Sequence, residues 1–199
     1  MDEFFRWVNG IMLAAMITTS GFYRARAHRL GGALPARPDG LPAVWVRVGF
    51  GLIVWAALLL PIVAPATVPW ITVTLPDGVR LAGLALAMAA WAWLWWTLAS
   101  IGVNISESTS TRAGASLVTH GPYRLVRHPL YSGGFLACIG FGVSMGSLPL
   151  LLATAILVWW LPRRVQGEEE HLVEAHGESY RRYQATTPKF IPRLFGNRG

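Results

Sequence analysis

The sequence predicts an all-α integral membrane protein with about five transmembrane helices, the last two forming a tight helical hairpin. Of the 199 residues, 53% are hydrophobic and only 14% are charged, whereas charged residues make up about a quarter of a typical soluble domain. Ten tryptophans are present, and indole rings favour the membrane interface. A chain of this length fits one domain, here residues 1–199.

Three transmembrane helices are predicted between residues 4 and 101. A helix needs about 20 apolar residues to cross the hydrocarbon core. The runs Phe4–Tyr23, Val44–Val63 and Val79–Ile101 meet this requirement, and the third contains the sequence WAWLWW.

A fourth apolar region, from Leu130 to about Trp160, is too long for one span and too short for two ordinary spans. The sequence MGSLP at 145–149 places Gly and Pro in its middle. We therefore expect a tight hairpin whose second arm continues past Pro162. Small residues on the first arm permit close approach of another helix: Gly133, Ala137 and Gly140.

The charge distribution predicts the orientation. The net charge of +7 comes from sixteen arginines and one lysine against ten acidic residues. The arginines cluster between apolar runs, which is typical of cytoplasmic loops facing anionic lipid and not of a nucleic-acid-binding protein. Segments 24–42, 102–129 and the tail from Arg163 contain arginine, whereas 64–78 contains no basic residue. We expect a multi-pass protein of a bacterial-type inner membrane with an external N-terminus and a cytoplasmic C-terminus.

Polar residues crowd the segment THGPYRLVRHPLYSGG at 119–134. Because proline suits the first position of a helix, the fourth helix is predicted to begin at Pro129, with Arg127 and His128 at its N-terminal mouth. Such a mouth can hold a carboxylate or phosphate, and Tyr131 adds a donor. Gly133-Gly134 leaves room for a ligand against the backbone.

Two other interpretations fit this segment less well. An interfacial belt of arginine and tyrosine explains Arg124 but does not need the prolines and glycines. A zinc site from His120 and His128 matches no usual ligand spacing, and the lone Cys138 offers no cysteine cluster, so no metal is expected.

A second polar segment spans residues 163–192. At helical spacing, Glu169 is followed by a stripe consisting of Leu172, Val173, His176 and Tyr180. Glu169 is therefore predicted to face inward with Glu168 beside it, and Arg164 can pair with Glu168 four residues later. The opposite, surface stripe consists of Glu170, Glu174 and Glu178.

Together these segments offer a cationic helix mouth and inward carboxylates. A ligand with a carboxylate at one end and an ammonium or ribose hydroxyls nearby suits both, and S-adenosylmethionine is such a ligand.

The sequence also carries a family resemblance. The run LVTHGPYRLVRHPLYSGGFLACIG at 117–140, R-x3-EE at 164–169 and YRRYQATTPKFIP at 180–192 resemble the isoprenylcysteine carboxyl methyltransferase family. That family is grouped with phospholipid N-methyltransferases. The resemblance implies that residues 117–192 form the catalytic, cofactor-binding half of the chain. It implies a multi-helix membrane enzyme that binds S-adenosylmethionine in a cytoplasmic C-terminal pocket, with the acceptor arriving from the bilayer.

The resemblance also implies which residues bind the cofactor. We assign catalytic roles to Glu169 and Arg127. The cofactor-binding residues would be His120, Gly121, Tyr123, Val126, Arg127, His128, Pro129, Tyr131, Gly133, Glu168 and Glu169. Two positions depart from the family pattern: Val103 stands where bacterial relatives often have a basic residue, and His176 where an aromatic residue is common.

The predicted reaction is S-adenosylmethionine-dependent methyl transfer to a lipophilic or membrane-embedded acceptor, with S-adenosylhomocysteine as product. A prenylated cysteine carboxylate, an aminophospholipid, a small thiol and an isoprenoid acid all stay open as acceptors. A carboxylate acceptor needs no base, whereas an amine or thiol would need Glu169 or His176 to remove a proton. The alternatives are an NADPH-dependent membrane sterol-type reductase and a non-enzymatic small membrane protein.

Overall fold

A computed structural model describes residues 2–30, 41–102 and 116–193, with the backbone alone for 41–47. All regular elements in these ranges are helices, which confirms the all-α prediction. The only β-type pairing among them is an isolated bridge between Thr72 and Ser147. The helices are α1 (Asp2–Leu30), α2 (Leu41–Val63), α3 (Asp77–Ile101), α4 (Pro129–Met145), α5 (Leu148–His176) and α6 (Glu178–Thr186), with short 3₁₀ turns at Pro65–Thr67, Pro69–Ile71 and Gly121–Arg124.

Helix α1 is longer than predicted. It continues past Tyr23 to Leu30, so the first arginines assigned to a loop are helical instead: Arg24, Arg26 and Arg29. Arginine and alanine are strong helix formers, and no Gly or Pro interrupts the segment before its end. Basic side chains in the last turn also interact favourably with the helix dipole.

Two compact units divide the chain. The first consists of residues 1–18, 37–91 and 135–161, and the second of residues 19–36, 92–134 and 162–199. Each is described by itself below.

In the first unit, α4 and α5 form the predicted hairpin. Gly146 joins them with φ of 64°, a conformation that favours glycine because it has no Cβ. The small residues of α4 serve packing, as expected: a Cβ on Gly140 would lie 2.6 Å from the backbone nitrogen of Ala87 in α3. The glycines near 140 therefore form a helix contact and not a nucleotide-binding loop.

Two described helices, α3 and α5, are long and apolar enough to cross a membrane. The apolar parts Val48–Val63 and Pro129–Met145 are shorter. In α5 the exposed side chains include Leu152, Ile156 and Trp159, which lie on one face at helical spacing and suit contact with lipid. The count of five transmembrane helices stays a prediction.

In the second unit, Ala27 of α1 and Leu98 of α3 form a small core, with Tyr23, Ile101 and Leu130 packed against it. The polar C-terminal region differs from the single helix that was expected. Gly177, with φ of 57°, ends α5 and starts α6. The predicted inward stripe is therefore split, and Tyr180 lies in the second helix, where it is buried.

Candidate active site

The first turn of α4 is fixed by α3. The helix begins at Pro129, as predicted, and the carbonyl of Pro129 accepts a hydrogen bond from Trp93 Nε1 at 2.9 Å. A Cβ on Gly133 would lie 2.7 Å from side-chain atoms of both Trp93 and Leu94, whereas Gly134 has nothing within 4 Å. The space expected for a ligand at Gly133 is thus filled by α3, and Gly134 is the glycine that lies open.

A C-terminal strap, which we define as residues 184–190, covers the mouth of α4. Its carbonyl oxygens at Pro188 and Lys189 accept the backbone N–H groups of Arg127 and His128 at 2.8 and 3.0 Å. The Phe190 carbonyl accepts a hydrogen bond from Ser132 Oγ at 2.6 Å. These two backbone donors were expected to face an anion, but protein carbonyls occupy them.

Glu169 lies at the centre of the site with 7% of its surface exposed. Its Oε1 accepts hydrogen bonds from Arg127 Nε at 2.9 Å and His128 Nε2 at 3.1 Å, and Arg127 Nη2 forms an ion pair with it at 2.8 Å. Its Oε2 lies 2.9 Å from Lys189 Nζ. The inward phase of Glu169 is confirmed, and two permanent cations in contact with it hold it as a carboxylate. The opposite stripe is exposed, also as predicted: Glu170, Glu174 and Glu178.

Glu168 provides a second, more accessible carboxylate. It accepts a hydrogen bond from the Tyr131 hydroxyl at 2.6 Å, and Arg164 Nη2 lies 3.6 Å from it. The 3.6 Å distance confirms the predicted pairing of Glu168 with Arg164. The Glu168 side chain is 18% exposed.

Arg127 links Glu169 to the C-terminal strap. Its guanidinium donates through Nη1 to the carbonyls of Gln184 at 2.8 Å and Thr187 at 2.6 Å. Its Nε and Nη2 face Glu169, so all three nitrogens contact protein oxygens. A role of Arg127 in cofactor binding stays a prediction.

The remaining predicted residues divide between scaffold and surface. Tyr123, Val126 and Pro129 are buried, and His120 is exposed. Gly121 has φ of 61°, and a Cβ there would meet Trp96 and Ser100 of α3.

The Tyr123 carbonyl accepts a hydrogen bond from the Tyr183 hydroxyl at 2.5 Å. Burial raises the pKa of Tyr183 to about 12, so this hydroxyl stays a donor. Tyr123 thereby anchors α6, the helix that leads into the C-terminal strap.

The sequence profile of phospholipid methyltransferases matches residues 79–179, slightly more than half of the chain. The chain belongs to the phospholipid methyltransferase family. The match contains Arg127, His128 and both carboxylates, and it confirms the resemblance seen in the sequence. The C-terminal strap and Lys189 follow it.

Two curated proteins are similar to this chain over part of its length. Protein-S-isoprenylcysteine O-methyltransferase of Schizosaccharomyces pombe is 36% identical over 79 residues, which are 39% of this chain and 34% of that protein. Nickel-cobalt-cadmium resistance protein NccN of Alcaligenes xylosoxydans xylosoxydans is 35% identical over 85 residues, which are 43% of this chain and 40% of that protein. The match thus spans well under half the length of these curated relatives.

The fold of this chain is also similar to a solved structure of the eukaryotic intramembrane Ras methyltransferase, isoprenylcysteine carboxyl methyltransferase. The TM-score is 0.53 at 22% identity, covering 78% of this chain and 54% of that chain. This likeness shows a shared fold.

Sequence reasoning missed three site residues. Lys189 was part of the quoted motif, but Gly177 ends α5 between Glu169 and Lys189. Helical periodicity holds only within one helix, so it could not predict their contact. Trp93 was assigned to the membrane interface with the other indoles. Tyr180 was placed inward, but its hydroxyl is buried without a hydrogen-bond partner among the described residues, which no sequence pattern indicates.

The described residues contain no group of three or more His, Cys, Asp or Glu side chains arranged to hold a metal ion. Val103, the departure from the family pattern noted above, lies outside the described residues.

Proposed function

We propose that this chain is an S-adenosylmethionine-dependent methyltransferase that acts on a lipophilic or membrane-embedded acceptor. The observation that carries the proposal is the buried carboxylate of Glu169, held by Arg127 and His128 at the first turn of α4 within the family's matched region. The name of the Schizosaccharomyces pombe relative, an O-methyltransferase, supports methyl transfer to an oxygen.

The chemistry of the donor set fits S-adenosylmethionine. Carboxylates accept from an ammonium or from ribose hydroxyls, and Glu168 and Glu169 supply two of them side by side. Tyr180 is 1% exposed, and its buried hydroxyl has no hydrogen-bond partner among the described residues. A buried hydroxyl without a hydrogen bond is costly. A ligand atom that accepts its proton would remove that cost. When bound, S-adenosylmethionine supplies a methyl group on an activated sulfonium leaving group.

The residues of the chain would then bind, orient and exclude water. Glu168 is the accessible carboxylate and Glu169 the buried one, while the open backbone at Gly134 lets a ligand approach α4. Alignment and exclusion of water are the main tasks of a protein when the leaving group is already activated.

The cations around Glu169 favour one class of acceptor. A carboxylate in contact with Arg127 and Lys189 is strongly stabilised in its charged form, so it is a weak proton acceptor. An acceptor that needs no deprotonation, such as a carboxylate, therefore suits this site better than an amine or thiol, for which His176 would be the base.

The arginine distribution supports the proposed membrane arrangement of five transmembrane helices, an external N-terminus and the cofactor pocket on the cytoplasmic side of an inner membrane. A lipophilic acceptor would then reach the pocket from the bilayer.

The test is incubation of the purified protein with methyl-labelled S-adenosylmethionine and a lipid extract, followed by identification of the labelled product. Binding of S-adenosylhomocysteine and of NADPH is compared by isothermal titration. We expect binding of the former and a labelled carboxyl methyl ester. Binding of NADPH alone would indicate a reductase, and binding of neither would contradict an enzyme of either class.

A further inference from the structure

The two oxygens of Glu169 meet different partners. Oε1 accepts hydrogen bonds from Arg127 Nε at 2.9 Å and His128 Nε2 at 3.1 Å, and Arg127 Nη2 lies 2.8 Å from it. Oε2 has one partner among the described residues, Lys189 Nζ at 2.9 Å. Since the lone pairs of Oε1 are already taken, a ligand donor that binds Glu169 has to do so at Oε2.

Lys189 is the partner best suited to leave. Its side chain is 36% exposed, whereas that of Arg127 is 9% exposed. An ion pair with a partly exposed lysine contributes less than a fully buried pair, because water still solvates the ammonium and the lysine side chain is flexible.

Release of the Lys189 side chain would not disturb the backbone. The strap is held to α4 through its carbonyl oxygens, including that of Lys189 itself, which accepts the His128 N–H at 3.0 Å. The ammonium can therefore swing into solvent while the C-terminal strap and the Oε1 contacts stay in place.

We propose that Lys189 is an intramolecular placeholder for the cationic group of the ligand. Its ammonium occupies Glu169 Oε2 in the free protein, and the amine of the ligand's amino-acid part displaces it. This inference rests on the proposed function, because S-adenosylmethionine carries such an amine. Exchange of one ammonium for another keeps the charge balance at Glu169 unchanged, and it makes Lys189 a residue that sets cofactor affinity.

The test compares two ligands on the full-length protein by isothermal titration. S-adenosylhomocysteine carries the amine, and 5′-methylthioadenosine lacks the whole amino-acid part. Lys189→Gln removes the competitor and should tighten S-adenosylhomocysteine binding by about two- to fivefold, the upper part of the range expected for loss of a partly exposed ion pair. Binding of 5′-methylthioadenosine should stay the same.

Two variants serve as controls. Arg193→Gln removes the same charge from an exposed position four residues away, and should change neither affinity. Lys189→Arg keeps a cation at Oε2 and should not tighten binding. Thermal unfolding in the same detergent checks that each variant is folded.

Weaker or unchanged S-adenosylhomocysteine binding in Lys189→Gln would overturn the inference, the former by showing that Lys189 binds the ligand carboxylate. Equal tightening for both ligands would also overturn it, because the effect would not depend on the amine. If the wild-type protein binds neither ligand, the proposed function itself fails and the inference falls with it. That outcome is distinct from failure of the Lys189 variants alone.

Discussion

Three consecutive glutamates on α5 allow a sharp test, because they share composition and differ in surroundings. Glu169→Gln keeps the shape of the side chain but removes the negative charge that faces Arg127 and Lys189. A hydrogen bond to a charged group contributes about 1.5–3 kcal/mol and one to a neutral group about 0.5–1.5 kcal/mol. Glu169 Oε1 accepts two hydrogen bonds, from Arg127 Nε and His128 Nε2, so loss of the acceptor charge should lower the free energy of unfolding by about 2–3 kcal/mol.

The neighbours provide matched controls. Glu170 is exposed and accepts a 3.4 Å hydrogen bond from Gln166, so Glu170→Gln should leave the free energy of unfolding within about 0.5 kcal/mol of the wild type. Glu168→Gln keeps an acceptor for Tyr131 and loses the 3.6 Å pair with Arg164. Glu168→Gln should therefore lower the free energy of unfolding by about 0.5–1 kcal/mol.

Thermal unfolding and S-adenosylhomocysteine affinity are measured for all three variants in one detergent. For a domain of this size, about 2–3 kcal/mol corresponds to a midpoint lower by about 4–12 °C. Cofactor affinity should fall at least about tenfold in Glu169→Gln, less in Glu168→Gln, and stay the same in Glu170→Gln. Equal behaviour of the Glu169 and Glu170 variants would refute the structural argument, and a larger effect at Glu170 would mean that α5 is rotated.

Three further predictions concern the scaffold. Tyr183→Phe should lower the free energy of unfolding by about 1–3 kcal/mol because it leaves a buried carbonyl without its donor. Tyr180→Phe loses no hydrogen-bond partner among the described residues and should lower it by less than about 0.5 kcal/mol. Thermal unfolding distinguishes the two variants. Because burial raises the pKa of Tyr183 from 10.0 to about 12, wild-type stability should fall as the pH rises between these values, and Tyr183→Phe should reduce that fall. Gly140→Ala should lower the unfolding midpoint, since its Cβ would lie 2.6 Å from a backbone nitrogen. Gly134→Ala should leave the midpoint unchanged, because its Cβ would have no neighbour within 4 Å among the described residues. An equal loss in both variants would contradict this packing. A single cysteine in segment 64–78, with the native cysteine replaced, should react with an impermeant maleimide from outside the cell, and reaction from the cytoplasmic side alone would reverse the orientation.

Local signals in the sequence were sufficient for much of the fold. Proline at 129 and glycine at 146 act through their own backbone preferences, so the start of α4 and the hairpin turn could be predicted. The burial of Glu169 followed from helical phase within one turn of α5. The end of α1 was wrong by one to two turns, because the charge of Arg24 and its neighbours was taken as a loop signal although their helix propensity is high.

Contacts between distant segments could not be predicted in the same way. The strap bonds α4 through carbonyl oxygens, which every residue has, so the sequence does not mark the residues that form these bonds. The contact of Lys189 with Glu169 depends on the turn at Gly177 and on the path of α6. A sequence pattern shows that Arg127 and two carboxylates are present, but it does not show which of them bind each other.

The crowding of polar groups at 119–134 follows from two demands at one helix mouth. A helix start leaves N–H groups to satisfy, and the strap satisfies those of Arg127 and His128 just before it. The strap in turn brings unpaired carbonyls, which the Arg127 side chain satisfies together with Glu169. Since Arg127 then uses its donors on Oε1, Lys189 is the one partner of the second Glu169 oxygen among the described residues, and its side chain is partly exposed. The same network that stabilises the mouth of α4 thereby leaves one carboxylate oxygen open to exchange, and this oxygen is where we expect a ligand amine to bind.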